Sequence, residues 1–294
     1  MRSRVILNPS SGAVKDLDAV MKELARLNPE AIHLTRKAGD AQSLAAKAVD
    51  GGCGYVIAAG GDGTLNEVVN GIAETSADVR IGLVPLGTGN DFARSLHLPA
   101  TVQENIEILL SGHTRLIDLV RVRSDRVRYF VNVSAGGFSG LVDEKLTPEI
   151  KKTWGPLAYV RSAAAALPEL RAYRTNIELG DGEKLSLDLY NIIVANATYV
   201  AGGLPVAPEA DPSDGLLDLI LIPKCSAAEM ALLAAQIVLG NHLGNQGIVF
   251  RRTPKVSVNS HPGMCFNADG ELVGNEPAVF EIIPRALHVV CAKQ

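Results

Sequence analysis

Four short β-branched runs, Val5 to Leu7, Ile32 to Leu34, Tyr55 to Ala58 and Ile81 to Val84, recur along the first 120 residues, each followed by a longer helical stretch. Strands separated by crossover helices pair in parallel, and right-handed crossovers place helices on both faces of an open sheet. Such a sheet binds ligands beyond the carboxyl ends of its strands. The expected first domain, residues 1–120, is therefore a doubly wound parallel α/β sheet.

After Asp118 the texture changes to longer alternating runs: Arg126 to Val133, Thr175 to Leu179, Leu185 to Ala195, Leu216 to Ile222, Phe250 to Val258 and Ala278 to Ile283. Few helices intervene, so this half reads as mostly antiparallel β. Two helical inserts stand out, near Leu157 to Leu170 and near Ala227 to Leu239. A boundary near residue 120 gives a β-rich second domain over 121–284, with 285–294 expected to pack back on the first. A length of 294 residues suits two domains at about 150 residues each.

Composition narrows the function classes. Hydrophobic residues at 47% and charged residues at 20% exclude a disordered chain. Lys plus Arg number 28 against 32 Asp plus Glu, a net charge of −4, so the chain lacks a nucleic-acid binder's basic footprint. Cys53, Cys225, Cys265 and Cys291 lie far apart with no CxxC pair, as in a reducing cytoplasm. The apolar Val5-Ile6-Leu7 after the first charges is too short for a signal-peptide core. The Ala227 to Leu239 stretch carries Glu229 and falls short of the roughly 20 residues that span a bilayer.

Three loops between a strand and a helix share a composition: Asn8-Pro9-Ser10-Ser11-Gly12, Gly60-Gly61-Asp62-Gly63-Thr64-Leu65-Asn66-Glu67, and Pro85-Leu86-Gly87-Thr88-Gly89-Asn90-Asp91-Phe92. Glycines allow close backbone approach, and helix-start N–H groups point toward an anion. A phosphate chain is the natural guest. Locally, Thr64-x-x-Glu67 is also a capping box, and Asn90 or Asp91 a simple cap. The convergence of three such loops favours phosphate. No Gly-Lys-Ser or Gly-Lys-Thr occurs, which excludes a Walker loop, and Asn66 and Phe92 stand where a dinucleotide fingerprint needs its third glycine.

Gly60-Gly61-Asp62-Gly63-Thr64 followed by Pro85-Leu86-Gly87-Thr88-Gly89-Asn90-Asp91-Phe92-Ala93 resembles the diacylglycerol kinase catalytic-domain family, specifically its small bacterial lipid kinases. The first motif is shared with NAD kinases; the second is more specific to lipid kinases. The resemblance spans nearly the whole chain and implies a β-sandwich for the second domain. It assigns ATP contacts to Asn8, Pro9, Ser10, Ser11 and Gly12, to Thr35, to Gly61 through Glu67, and to Thr88. It also likens Pro208 to Asp218 to a structural magnesium loop, with Asp214 binding through its side chain, Asp211 and Leu216 through their carbonyls, and Asp118 through water. Without it, this segment reads as an acidic turn before a strand.

Asn267-Ala268-Asp269-Gly270-Glu271 resembles the family's general-base motif, which makes Glu271 the base and Asp62 and Asp269 candidates for the magnesium bound to ATP. A plain Asp-Gly hairpin turn is the alternative. The resemblance implies an ATP-dependent lipid kinase, cytoplasmic and peripheral at the inner membrane face, with diacylglycerol as the leading acceptor. A sphingoid base, ceramide or phosphatidylglycerol is also open. Expected partners are ATP, a membrane lipid, a transient membrane surface and, as an option, a second copy of the chain; nucleic acid is excluded. Lys151 to Tyr159, with the only Trp, suits a membrane interface, and Met230 to Leu239 an acyl-chain entrance. A soluble-metabolite kinase of the NAD kinase type and a non-catalytic nucleotide- or lipid-binding protein are the competing readings.

Overall fold

The computed structural model describes residues 1–73, 75, 78–138, 170–274 and 277–293. The chain divides into two compact units, Met1–Leu119 with Pro284–Gln294, and Val120–Ile283. Most of the Leu157 to Leu170 insert and the whole Lys151 to Tyr159 segment lie outside the described residues.

In the first unit, strands β1 (Ser3–Leu7), β2 (Ala31–Leu34), β3 (Tyr55–Gly60) and β4 (Arg80–Pro85) alternate with helices α1 (Leu17–Ala25), α2 (Asp40–Asp50) and α3 (Asp62–Ala73). Helices α4 (Asp91–Ser95) and α5 (Val102–Ser111) follow β4. All pairs are parallel, in the order β2-β1-β3-β4. The chain's last strand closes this edge, with His288 opposite Arg80 and Val289 opposite Ile81. Strand order reverses between β1 and β3, the switch point where open α/β sheets hold ligands. Val5, Leu7, Ile57 and Val84 from the sheet pack with Leu24 of α1 and Ile106 and Leu109 of α5 in one buried cluster.

Helices α2 and α3 pack together through an unusually close contact. A methyl at Gly71 would stand 2.3 Å from the Gln42 carbonyl oxygen. The absent side chain is therefore what lets these two helices approach.

The second unit is built from antiparallel strands. β5 (Thr114–Arg123) enters it and pairs with β6 (Val127–Phe130), and β7 (Val133–Gly137), β8 (Tyr173–Leu179) and β9 (Lys184–Ala195) follow. After the β10–β11 ribbon (Tyr199–Val200 with Leu204–Pro205) come β12 (Leu217–Pro223), α6 (Ala227–Leu239), β13 (Val249–Thr253), β14 (Lys255–His261), β15 (Phe266–Ala268), β16 (Glu271–Gly274) and β17 (Ala278–Val290). The long β9 pairs with β8 through its first half, and with both β7 and β12 through its second. β8 alternates strictly between buried and exposed positions, as a half-buried strand must. Phe130, Phe266 and Phe280 meet edge to face inside the unit, with centroids 6.3 and 5.3 Å apart.

Two runs expected as single strands are broken. Arg126 to Val133 splits at Val131 and Asn132, whose N–H groups turn to the Asp269 carboxylate instead of a ladder. Phe250 to Val258 splits at Pro254, which has no N–H to give, so β13 pairs with β12 while β14 pairs with β8 and β17.

Helix α6 starts with a full capping box between Ser226 and Glu229, yet exposes Leu232, Val238 and Leu239. Among the described residues, no helix is long and apolar enough to cross a bilayer.

Candidate active site

The three glycine-rich loops meet at the carboxyl ends of β1, β3 and β4. The Asn8 amide Nδ2 donates to Thr64 Oγ1 at 3.4 Å. The N–H of Ala13 bonds the Leu86 carbonyl at 2.8 Å, and the N–H of Leu86 bonds that of Gly60 at 2.8 Å. A methyl on Gly12 would strike Thr88 Oγ1 at 2.6 Å, and one on Gly87 would reach the Gly61 α-carbon at 2.5 Å. Only glycine at 87 lets the second and third loops touch backbone to backbone.

These loops wall a cavity of about 430 Å³. From the expected nucleotide set, Asn8, Ser10, Ser11, Thr35, Gly61, Gly63, Thr64 and Glu67 line it. Pro9, Gly12, Asp62, Leu65, Asn66 and Thr88 do not line it, and Leu65 and Asn66 are buried in the unit. Ser11 Oγ is buried with no hydrogen-bond partner among the described residues. An unpaired buried hydroxyl costs free energy unless something bonds it, so this wall suits a polar guest. Asp62 opens α3, and its Oδ1 accepts the Phe92 N–H at 3.3 Å, fixing the third loop to the second.

Neither Glu67 nor Asn90 makes the local cap bond. Glu67 does not close a box with Thr64; its carboxylate accepts the N–H groups of Gly39 and Ala41 at 2.8 and 2.9 Å, capping α2. The Asn90 amide turns back on Gly87, accepting its N–H and donating to its carbonyl, each at 2.9 Å. Nothing in the sequence pattern marks the Glu67 partners, which lie 26 and 28 residues away.

In the second unit, β15 and β16 are joined by Asp269 and Gly270 with φ of 49° and 84°, a tight turn of the kind Asp-Gly supplies. The turn reading and a special Asp269 therefore coexist. Asp269 Oδ2 accepts the Val131 N–H at 3.1 Å, and Oδ1 accepts those of Asn132 and Val133 at 3.2 and 3.1 Å. Glu271 follows at the start of β16, exposed, opposite Ala268.

The acidic loop before β12 is tightly knit. Asp211 Oδ1 accepts from the Ser213 N–H and hydroxyl at 3.0 and 2.7 Å, and Asp214 Oδ1 from the Leu216 N–H at 2.9 Å. Arg252 bridges Asp214 and the buried Asp218, holding Asp218 Oδ1 at 2.8 Å. Asp218 Oδ2 has no partner among the described residues, and burial pushes this carboxyl up from its ordinary value while Arg252 pulls it down. An orphaned buried carboxylate oxygen beside a second carboxylate, Asp214, fits a hard cation. The sequence reading included Asp218 as the end of the likened loop but gave it no role, and it did not single out Arg252. Among the described residues no three His, Cys, Asp or Glu side chains group as a metal site, so an ion here would rely on main-chain carbonyls. Asp118 lies buried in the first unit, its Oδ1 accepting the Arg285 N–H at 2.7 Å.

Comparison with known proteins adds to this geometry. A family model described as the diacylglycerol kinase catalytic domain matches residues 2–122, and one described as the YegS C-terminal NAD kinase beta sandwich-like domain matches 132–291. A diacylglycerol kinase of Bacillus subtilis is 34% identical over 298 residues, covering 100% of this chain and 97% of its own. A solved Bacillus anthracis protein, provisionally described as a diacylglycerol kinase, superposes with a TM-score of 0.86 at 22% identity, covering 99% of this chain and 95% of its own. An NAD kinase from Archaeoglobus fulgidus in complex with ATP superposes with a TM-score of 0.55 at 17% identity, covering 100% and 94%. At these identities the two structures establish shared fold, an α/β domain followed by a β-sandwich.

Proposed function

Because this chain belongs to the diacylglycerol kinase family, we propose that it transfers the γ-phosphate of ATP to a lipid hydroxyl, with diacylglycerol as acceptor and phosphatidic acid as product. The observation that carries this reading is the meeting of three glycine-rich loops around one cavity with an unpaired buried hydroxyl in its wall. Asn8 to Gly12, Thr35, Gly61 to Glu67 and Thr88 are the nucleotide residues; those that do not line the cavity, and Glu67, whose carboxylate holds the Gly39 and Ala41 N–H groups, act by shaping its walls.

Phosphoryl transfer needs the γ-phosphate held in line with the hydroxyl, donors to spread its charge, and a group to take the hydroxyl proton. The loops supply the first two. Glu271 takes the proton on its carboxylate, and Asp269 fixes the turn that carries Glu271 by holding three consecutive N–H groups. Asp62, at the start of α3, is assigned with Asp269 to the ion that accompanies ATP. Asp214, with the carbonyls of Asp211 and Leu216, would hold a structural ion. Magnesium, when bound, neutralises negative charge on the triphosphate and in the acidic loop.

A lipid acceptor brings the enzyme to a bilayer from the cytoplasmic side as a peripheral protein. The exposed Leu232, Val238 and Leu239 of α6 support such a contact. Labelled γ-phosphate, offered with magnesium to diacylglycerol, ceramide, a sphingoid base and phosphatidylglycerol in mixed micelles, tests the acceptor. Label on diacylglycerol is expected; label on another lipid alone would reassign it.

A further inference from the structure

In the cavity wall formed by residues 35–41, most backbone donors are already used, the Thr35 N–H by the Leu7 carbonyl at 2.9 Å. Asp40 Oδ2 accepts the N–H groups of Arg36 and Lys37 at 2.8 and 3.2 Å. Glu67 takes those of Gly39 and Ala41, and the Asp40 N–H goes to the Lys37 carbonyl at 3.3 Å. Two carboxylates thus sit at the positive end of α2, where a phosphate would otherwise bind. A polyphosphate reaching this wall finds the Ala38 N–H and, beside it, side-chain donors. Arg36 and Lys37 both line the cavity, both are exposed, and neither is ion-paired among the described residues.

We propose that Glu67 is a positioning residue, which clamps the N-terminal turn of α2 to α3 so that the 35–38 wall presents the Arg36 and Lys37 cations to the polyphosphate of the bound nucleotide. The clamp is built for close tolerance. Glu67 and Gly71 lie four residues apart on the face of α3 that meets α2, one binding the first turn and the other admitting the Gln42 carbonyl. Arg36 and Lys37 add charge-assisted bonds to the phosphates, but only while their backbone is held. This inference rests on the nucleotide reading of the cavity and deepens it.

The test combines Glu67→Ala, Glu67→Gln, Arg36→Ala with Lys37→Ala, and the triple variant Glu67→Ala with both cation changes. Kinetics are read as KM for ATP, KM for lipid and kcat. Amide exchange at Gly39 and Ala41 is read on the nucleotide-free protein. Glu67→Ala is expected to raise KM for ATP about tenfold, the size of one lost charge-assisted bond, with KM for lipid unchanged. Glu67→Gln, which keeps one carbonyl acceptor, should fall between. The triple variant should be no worse than the cation pair alone, because the clamp acts through those cations. Exchange at Gly39 and Ala41 should accelerate in both Glu67 variants. Losses that add in the triple variant would make Glu67 a direct nucleotide contact and overturn the proposal, as would unchanged exchange in a folded Glu67→Ala. If the unaltered protein binds no ATP, the nucleotide reading itself fails, while the exchange data still decide whether the clamp exists.

Discussion

Glu67 and Asp269 each carry a side chain whose sequence neighbours suggest a local job and whose partners lie elsewhere. The glycine loops themselves were legible, since residue type and spacing alone state where a backbone must approach a guest. Which carboxylate holds which N–H was not legible, because those pairings exist only after α2 meets α3 and β15 meets the 131–133 segment. His242 is a further case. It is buried, Nε2 lies 2.8 Å from the Val206 carbonyl, and Nδ1 has no partner among the described residues. With Nε2 donating, a second proton on Nδ1 would be buried without an acceptor, and burial holds this imidazole below its ordinary value of 6.5. The unfolded chain binds that proton more readily, so stability is retained above pH 6.5 and lost as pH falls below it. Urea midpoints measured across this range should decline toward acid, and His242→Gln should flatten that decline while lowering stability near neutrality.

Elements follow the same division between pattern and contact. Parallel strands and crossover helices were readable from apolar period, and so was the alternating second half. Strand ends were not: the break at Pro254 has a local cause, whereas the break at Val131 requires a carboxylate 138 residues away. Thr35 shows the limit at the site, since it looks like any strand-end residue until the fold sets it in the cavity wall. The α2–α3 contact yields a direct test. Gly71→Ala would place a methyl 2.3 Å from the Gln42 oxygen, and backbone at such a distance must move. A loss of roughly 1–3 kcal/mol in unfolding free energy is expected from such overpacking, read by denaturant titration. Nucleotide affinity should fall with it, since the same displacement pulls the first turn of α2 from Glu67.

At the scale of the whole molecule, the chain leaves the first unit after Leu119 and returns at Pro284, so that its last strand edges the parallel sheet. That return depends on long-range pairing, which periodicity does not announce. The family resemblance, where residue pattern stops, supplied the class of acceptor and the expectations of a magnesium loop and a general base. The proposed function assigns ATP to the glycine-loop cavity and the proton transfer to Glu271. The most direct measurement is label transfer from γ-labelled ATP, with magnesium, in one mixture offering diacylglycerol micelles and NAD, run with the unaltered chain and with Glu271→Gln. Labelled phosphatidic acid from the unaltered chain, about 10²-fold less from the variant at unchanged ATP affinity, and no label on NAD is the predicted result. Label on NAD with none on lipid, or equal turnover by both chains, would contradict it.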